Sequence, residues 1–540
     1  MNRQYSVSDF LTVKLVKSVK FNIEIRNEGD LSMNNFVIKE YLSLKMPSED
    51  LPISDHQRIL LALNSIGYEN IQFPLSAVRK LYPLCRDAGF DITVTLVHRE
   101  YDWVVTDVES GDTTKVLYGL AVDYGSTAII MQMIDLNSGK VISEEKEENG
   151  QVPYGTDILT RIIYSRENEE HRKELQKVTV ATFHKIMRRL TEKSGIDVLK
   201  LPLMVLSGNT TMIHFLMELD AWTVFAAPYS PVTTAPGFLW GNELGMEFQG
   251  LIYTIPAASN YVGGDIISGL LHLDIHKQEQ TQMFFDIGTN GELVIGNKDW
   301  MIAGAGAAGP ALEGYISRYG MRASAGAIDH ITISNNELSY TTIADAKPVG
   351  ICGSGIIDLL AQMRLHGWIN IAGKLEPTAS NRIIHHPEEE QYVVIYAYAE
   401  ESGSEKDLYF SQLDIDQYLD TKAAAYTMVD CLLEYAGISA SDLDHCYLSG
   451  AFSAHSDLES AITIGIFPDL ERNRYTVLKN SSLEGAKTLL LDYTKLEEAK
   501  VLAENIYCVQ FASIPDFLIK MQAAKFIPHT DMSRYPSIEL

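Results

Sequence analysis

The chain of 540 residues is long enough for roughly two to four domains, and its 46% hydrophobic and 21% charged residues are typical of a globular protein. Its formal net charge of −27 argues against nucleic acid or an anionic membrane as the main partner, because both require clustered Lys and Arg. No segment is apolar for long enough to span a bilayer, and the N-terminus has no signal-peptide pattern, so we predict a cytoplasmic protein.

The cysteines are single residues spread along the chain: Cys85, Cys352, Cys431, Cys446 and Cys508. No CxxC pair occurs, so we expect free thiols and no iron–sulfur cluster or structural zinc in this chain. The histidines are dispersed as well, and no pair has the spacing of a metal site.

Residues 1–115 are predicted to form a separate small α+β domain, with a boundary near Gly111. The predicted strands are 21–27 and 91–100, and the predicted helices are 55–67 and 74–89. This part of the chain contains no catalytic motif.

The next part, 116–280, is predicted to begin with a meander of strands closed by a turn at 137–139, followed by helices and a buried strand. Gly195 is expected to end the longest helix, and Asn209 to cap the helix after the buried strand. The predicted strands are 117–124, 128–135, 140–146 and 201–208, and the predicted helices are 158–163, 167–195 and 212–219.

The second half, 281–540, repeats this order, which indicates an internal duplication. Leu-Ser-Gly ends the buried strand in both halves, at 206–208 and 448–450. An insertion is expected at about 296–405, where a glycine-rich turn at 350–355 opens a helix. The predicted strands are 282–288, 291–297, 300–306 and 443–450, and the predicted helices are 414–439 and 454–467.

Each half also carries an acidic turn between two apolar strands. The first turn reads Asp123-Tyr124-Gly125-Ser126-Thr127, and the second reads Asp286-Ile287-Gly288-Thr289-Asn290. Such turns offer backbone N–H groups and hydroxyls to phosphate, and the Asp can hold a hydrated Mg²⁺ ion. We predict that Asp123 and Asp286 position the metal. The predicted phosphate-binding residues are Gly125, Ser126, Thr127, Gly288, Thr289 and Asn290.

Three further acidic residues have two interpretations each. Asp265 either caps a helix or orients the attacking water. Asp157 either lies in the cleft as a ligand-binding residue or caps helix 158–163. Glu313 is as readily a satisfied polar residue as a ligand.

Taken in order, the motifs resemble the reductive activators of corrinoid proteins. They include GLAVDYGSTA, VPYGTDILTRI, SGNTTMIHFL, VGGDIISGLL, FFDIGTNGELVIG, GMRASAGAIDHI, GICGSGIIDLLAQM and SGAFSAHSDLESAITIGIFP. These proteins belong to the acetate and sugar kinase, Hsc70 and actin superfamily. The resemblance implies an α/β fold in which a duplicated actin-like ATPase, with two lobes around a nucleotide cleft, follows a small middle-type domain. It also places Gly450 and Phe452 on the adenosine side.

The resemblance further implies a function. Such activators use ATP to return a Co(II) corrinoid to Co(I), receive electrons through a fused [2Fe–2S] domain, and pair as dimers. Because this chain has no cluster cysteines, we expect a corrinoid protein as partner and a separate ferredoxin-like electron donor.

Several residues depart from the family pattern: Tyr124 replaces a small aliphatic residue, and Ala451 and Ser453 replace glycines beside the adenosine. Met321 and Arg322 belong to a family signature whose role the sequence does not explain. Two alternatives therefore remain. One is a nucleotide-gated regulatory protein, and the other is a small-molecule kinase with Asp265 as its base.

Overall fold

The computed structural model describes residues 35–50, 52–155, 157–288, 290–306, 316–453 and 456–539. These residues form a small domain on a four-stranded sheet and two larger lobes, each built on a six-stranded sheet. The predicted strand 21–27 and Glu313 lie outside the described residues. Within the described ranges, every helix is too short or too polar to cross a bilayer.

The small domain has the predicted α+β character, but one predicted helix is wrong. Residues 74–89 form two short helices instead of one, and the second is kinked at Tyr82, which precedes Pro83 and adopts an extended conformation with φ −115° and ψ 127°. The strands are Val37–Ser43, Ile71–Gln72, Asp91–Arg99 and Asp102–Ser110, and the helices are Asp55–Ser65, Leu75–Val78 and Leu81–Asp87.

The first lobe follows the predicted order of strands and helices. Its longest helix, Glu169–Ser194, starts at Asn168, whose side chain accepts from His171 N–H, and it ends at Gly195 with φ 73°, as predicted. The strands are Tyr118–Tyr124, Ala128–Asp135, Val141–Glu148, Leu203–Gly208, Gly237–Trp240 and Leu251–Thr254. The other helices are Ile158–Glu167, Thr210–Leu216, Trp222–Phe225 and Gly264–Leu273.

The second lobe repeats the pattern and carries two additional three-stranded sheets. Its main strands are Gln282–Ile287, Gly291–Gly296, Met301–Gly306, His445–Ser449, Tyr475–Val477 and Tyr507–Val509. The additional strands are Ala327–Ser334, Glu337–Thr342, Gly350–Ile351, Ile383–His386, Gln391–Ala397 and Leu408–Ser411. The helices are Gly353–Leu365, Gln412–Ala436, Gly450–Ser453, Leu458–Thr463, Ser481–Leu491, Lys495–Asn505 and Phe517–Ala524. The predicted helix 454–467 is therefore shorter than expected, because Gly465 with φ 82° follows its last turn.

Strand pairing shows the duplication directly. In the first sheet the strand that carries Asp123 runs parallel to the strand of the first Leu-Ser-Gly, so that Asp123 is paired with Ser207. In the second sheet Asp286 is paired with Ser449 in the same way. The two acidic turns therefore occupy equivalent positions, each beside the serine of a Leu-Ser-Gly segment.

Two helices, which we call the crossing helices, join the lobes: Gly264–Leu273 and Ser481–Leu491. The second of them packs against strands Tyr118–Tyr124 and Leu203–Gly208 of the first lobe. A Cβ at Gly485 would overlap with the carbonyl oxygen of Ser268, so the two backbones are in direct contact. Contacts at the junction of the lobes are therefore made by backbone as well as by side chains.

A buried lysine fixes the C-terminal segment on the second lobe. Lys422 is 0% exposed, and its Nζ donates to the carbonyl oxygens of Ala524 at 2.6 Å, Phe526 at 2.9 Å and Pro528. Burial lowers the pKa of Lys422. The ammonium group thus satisfies the carbonyl group at the end of helix Phe517–Ala524 and those of two residues beyond it.

Candidate active site at the junction of the lobes

The acidic turns of the two lobes face a common space. The charge of Asp123 raises the pKa of Asp286, which reaches about 6, although burial is the larger cause and the hydroxyl of Ser449 partly offsets both. Asp123 and Ser449, the strand partner of Asp286, also contact two neighbouring serines at one helix end, Ser482 and Ser481. The two turns that the sequence singled out therefore converge.

The second crossing helix presents its N-terminal end to Asp123. Asn480 Nδ2 donates to Asp123 Oδ2 at 2.9 Å, and Ser482 Oγ donates to Asp123 Oδ1 at 2.9 Å. The neighbouring Ser481 hydroxyl lies 2.7 Å from Ser449 Oγ, and Ser482 Oγ lies 2.9 Å from Ser207 Oγ. The helix thus links both Leu-Ser-Gly segments to the first acidic turn.

The structure contradicts one of the two interpretations of Asp265, namely that it caps a helix. The helix Gly264–Leu273 has Gly263 as its N-cap, and Asp265 lies inside the first turn, where its Oδ1 accepts from Ile266 N–H at 3.0 Å. The capping interpretation is therefore wrong. Burial, followed by the charges of Asp286 and Asp123, raises the pKa of Asp265 to about 7.

Sequence reasoning missed a fourth carboxyl group, that of Glu292. This residue is paired with Asp286 across the second hairpin, so both side chains lie on the same face of the sheet. Burial and the charges of Asp265 and Asp286 raise its pKa well above the ordinary value. We call Asp123, Asp265, Asp286 and Glu292 the carboxylate cluster.

Neighbouring residues brace the first turn. Asn149 Nδ2 donates to the carbonyl oxygen of Gly125 at 2.9 Å, and its backbone N–H donates to that of Thr127 at 2.9 Å. The buried Arg161 donates from Nη1 to the carbonyl oxygen of Ser126 at 2.7 Å. A Cβ at Gly125 would lie 2.7 Å from the carbonyl oxygen of Ala128, so only glycine fits there.

The second turn is closed by Gly288 N–H, which donates to the carbonyl oxygen of Asn290 at 2.8 Å, whereas Thr289 lies outside the described residues. Gly450 has φ 90°, and a Cβ there would overlap with the carbonyl oxygen of Ile287. The turn at Gly450 is therefore in direct contact with the second acidic turn. Phe452, which we expected beside adenosine, is 5% exposed and packs in the core of the second lobe.

Asp157 lies at the edge of the site. It caps helix Ile158–Glu167, since its Oδ1 accepts from Thr160 N–H at 2.8 Å and its Oδ2 accepts from Thr160 Oγ1 at 2.7 Å. It also borders an interlobe cavity of about 340 Å³. The cavity is lined by Asp157, Ile158, Leu159, Ile162, Asn209, Thr211, Val224, Phe225, Asn260, Tyr261, Asn290, Glu292, Ala305 and Gly306.

Comparison with known proteins shows the family of the chain. Family models match residues 27–115 as the linker region of RACo, 118–278 as its middle region and 280–539 as its C-terminal ASKHA domain. A solved reductive activator for corrinoid, iron–sulfur protein is 32% identical, with a TM-score of 0.84 over 95% of this chain and 82% of that chain. The chain belongs to the family of reductive activators of corrinoid proteins.

Two curated members of this family are similar over most of their length. The corrinoid activation enzyme RamQ of Eubacterium limosum is 29% identical over 424 residues, which cover 77% of this chain and 71% of that protein. A reductase of Methanosarcina barkeri, named for its methylated amine-specific corrinoid protein, is 24% identical over 425 residues, 72% of this chain and 73% of that protein. The predicted family and the actin-like ATPase fold are therefore confirmed. The family models reserve the term middle region for residues 118–278, whereas we had applied it to 1–115.

The carboxylate cluster is suited to a hard divalent cation. Mg²⁺ takes oxygen ligands and is commonly held by one or two carboxylates together with water and substrate phosphates. The side chains of the cluster are partly accessible, and burial is the largest cause of their raised pKa values. A second acidic group, formed by Asp274, His276 and Glu498, already pairs with lysines, because Lys495 contacts both of its carboxylates.

Proposed function

We propose that this activator binds Mg²⁺–ATP between the two acidic turns and uses it to support reduction of a Co(II) corrinoid protein to Co(I). The carboxylate cluster supports this proposal most directly, because it collects acidic groups from both lobes, two of them at the ends of equivalent strands. A nucleotide held there touches both lobes, so its binding favours the closed arrangement over the open one.

Different residues of the site have different roles in ATP hydrolysis. The first turn and the second turn bind phosphate through backbone N–H groups and hydroxyls, and Asp123 and Asp286 hold the metal. When bound, Mg²⁺ supplies positive charge that offsets the charge of the phosphates. Asp265 accepts the proton of the attacking water, since its pKa of about 7 suits a general base at neutral pH.

Coupling of ATP binding to the corrinoid partner requires that ATP bind the closed state and the open state with different affinities. ATP can shift the lobes toward closure only by as much as it binds the closed state better. The crossing helix Ser481–Leu491 connects the site to both lobes, because Ser482 contacts Asp123 of the first lobe and Ser481 contacts Ser449 of the second. We propose that the closed state binds the corrinoid protein differently, and that electrons come from a separate ferredoxin-like donor and not from the five dispersed cysteines.

A spectroscopic assay tests the proposal. The protein, Mg²⁺–ATP, a low-potential reductant or ferredoxin, and a Co(II) corrinoid protein are mixed, and the Co(I) absorption band is followed. We expect Co(I) to form with ATP and not with ADP or with the Asp286→Ala variant. Binding of the partner without reduction would instead indicate the regulatory alternative.

One observation keeps the kinase alternative open. The interlobe cavity of about 340 Å³ adjoins the cluster through Glu292 and has room for a small acceptor molecule. ATP turnover that depends on an added hydroxyl-bearing metabolite, with no effect on a corrinoid protein, would favour this alternative.

A further inference from the structure

Arg322, the signature residue whose role the sequence left unexplained, connects the two lobes. It precedes strand Ala327–Ser334 of the second lobe, yet its Nη1 donates to Glu148 Oε2 of the first lobe at 2.6 Å. Glu148 is paired in the first sheet with Ala128, the residue directly after the first turn. Paired residues in antiparallel strands have Cβ atoms about 5 Å apart. The Arg322 guanidinium therefore lies within roughly one side-chain length of the first turn.

The proposed phosphate site needs a positively charged side chain. The carboxylate cluster contributes only acidic groups, and the described lining of the interlobe cavity contains Asp157 and Glu292 but no Lys, Arg or His. Two cations lie near the first turn: Arg161, which is buried and already donates to the carbonyl oxygens of Gly155 and Ser126, and Lys146, which is exposed and whose charge acts on Asp123. A nucleoside triphosphate brings several more negative charges, which phosphoryl-transfer sites offset with Mg²⁺ and with Lys or Arg. Arg has the planar fork of donors that fits a phosphate group.

The ion pair between Arg322 and Glu148 can be replaced by another contact of Arg322 with little loss of stability. The two side chains are 47% and 54% exposed, and ion pairs this accessible contribute little to stability. The chain from Met321 to Gly326 has neither helix nor strand, and Gly326 has φ 83°. Its two ends are held by backbone hydrogen bonds, because Met321 N–H donates to Ile351 and Gly326 N–H donates to Ile343, so the movement that the proposal requires is that of the Arg322 side chain and the residues between these ends.

We propose that Arg322 is a phosphate-binding residue that rests on Glu148 and moves onto the triphosphate at the first turn when the lobes close. This inference rests on the proposed function. In hydrolysis the water oxygen forms a bond to the γ-phosphorus, the bond to the β–γ bridging oxygen breaks, and ADP leaves with that electron pair. The proton of the water passes to Asp265. Arg322 stabilises the negative charge on the transferred phosphoryl group and on the leaving oxygen.

The test compares Arg322→Ala, Arg322→Lys and Glu148→Gln with the wild type in ATPase kinetics and in calorimetric titrations with Mg²⁺–ATP. Removing a charge-stabilising arginine commonly lowers turnover by about 10³-fold or more, so we expect Arg322→Ala to lose at least about 100-fold in kcat. Arg322→Lys keeps the positive charge but lacks the planar donors of the guanidinium group, and its kcat should lie between those of Arg322→Ala and the wild type. Glu148→Gln should keep wild-type kcat, because it removes only the ion pair between Glu148 and Arg322, which the proposal does not use in hydrolysis.

Three results would decide against the proposal. Equal losses in Arg322→Ala and Glu148→Gln would mean that the ion pair is a structural link between the lobes. Wild-type kcat in Arg322→Ala would remove Arg322 from the phosphate site. Recovery of the Arg322→Ala rate by added guanidinium ion would support the proposal, and the absence of recovery in a folded variant would count against it. If the wild type itself binds no Mg²⁺–ATP, the proposed function fails, which distinguishes the two failures.

Discussion

Replacing Asp265 with Asn should stabilise the nucleotide-free protein while abolishing its ATP turnover. Burial and the neighbouring carboxylates raise the pKa of Asp265 from 3.8 to about 7. A shift of about three units corresponds to at most about 4 kcal/mol against the ionised form, at about 1.4 kcal/mol per unit. Because the side chain is partly accessible, we expect a gain of about 1–4 kcal/mol for an amide that cannot ionise.

The sign of the pH dependence follows from the same shift. Between about pH 4 and pH 7 the folded protein binds a proton at Asp265 that the unfolded chain has released, so this contribution to stability is lost as pH rises through about 7. The stability of the wild type should therefore fall between about pH 5.5 and pH 8, and the stability of the Asp265→Asn variant should fall less. The gap between the two proteins should be widest at the higher pH.

Thermal unfolding without Mg²⁺ or nucleotide, at both pH values, provides the measurement. Asp416→Asn is the matched control, because Asp416 forms an exposed ion pair with Lys374 and its removal should change stability by at most about 1 kcal/mol. The reasoning is refuted if the wild type and Asp265→Asn show parallel pH curves, or if Asp265→Asn is the less stable protein at about pH 8.

Four further substitutions have defined outcomes. Asp123→Ala and Asp286→Ala should each abolish ATP turnover while near-native circular dichroism is retained, and normal turnover would remove the metal assignment. Gly485→Ala should destabilise the protein by about 1–3 kcal/mol or more, because the added methyl group overlaps with Ser268 and must separate the crossing helices; an unchanged melting temperature would contradict that contact. Lys422→Met leaves three carbonyl groups without their donor and should destabilise by about 3 kcal/mol or more, with faster proteolysis of the C-terminal segment than in the wild type.

The acidic turns could be predicted because their signal is local. Strand, Asp, Gly and hydroxyl follow one another within a few residues, and the second copy in the other half strengthened the pattern. Long helices were predictable for the same reason, since Gly195 and Gly437 both end helices in the left-handed conformation, with φ 73° and 70°. Pro83 was a local signal as well, and the predicted helix 74–89 failed because its effect on Tyr82 was not taken into account.

Other parts of the site depend on distant contacts. Asn480 and Ser482 contact Asp123 across 357 and 359 positions of sequence, and no local pattern marks them. Glu292 did have a signal, because it is the only charged residue in the strand Gly291–Gly296 and lies opposite Asp286 in the hairpin. Phe452 was assigned from resemblance alone, and its place on the adenosine side stays a prediction, since the structure shows only that its side chain packs in the core of the second lobe.

The account depends most on the two acidic turns acting together as one Mg²⁺–nucleotide site. Calorimetric titration of Mg²⁺–ATP into the wild type at about pH 6.5, in buffers of different ionisation enthalpy, tests this directly, because a cation should displace protons from carboxylates whose pKa values are raised. We predict one binding site per chain with net proton release, and loss of binding in both Asp123→Ala and Asp286→Ala. No binding to the wild type, or equal binding to all three proteins, would contradict the account.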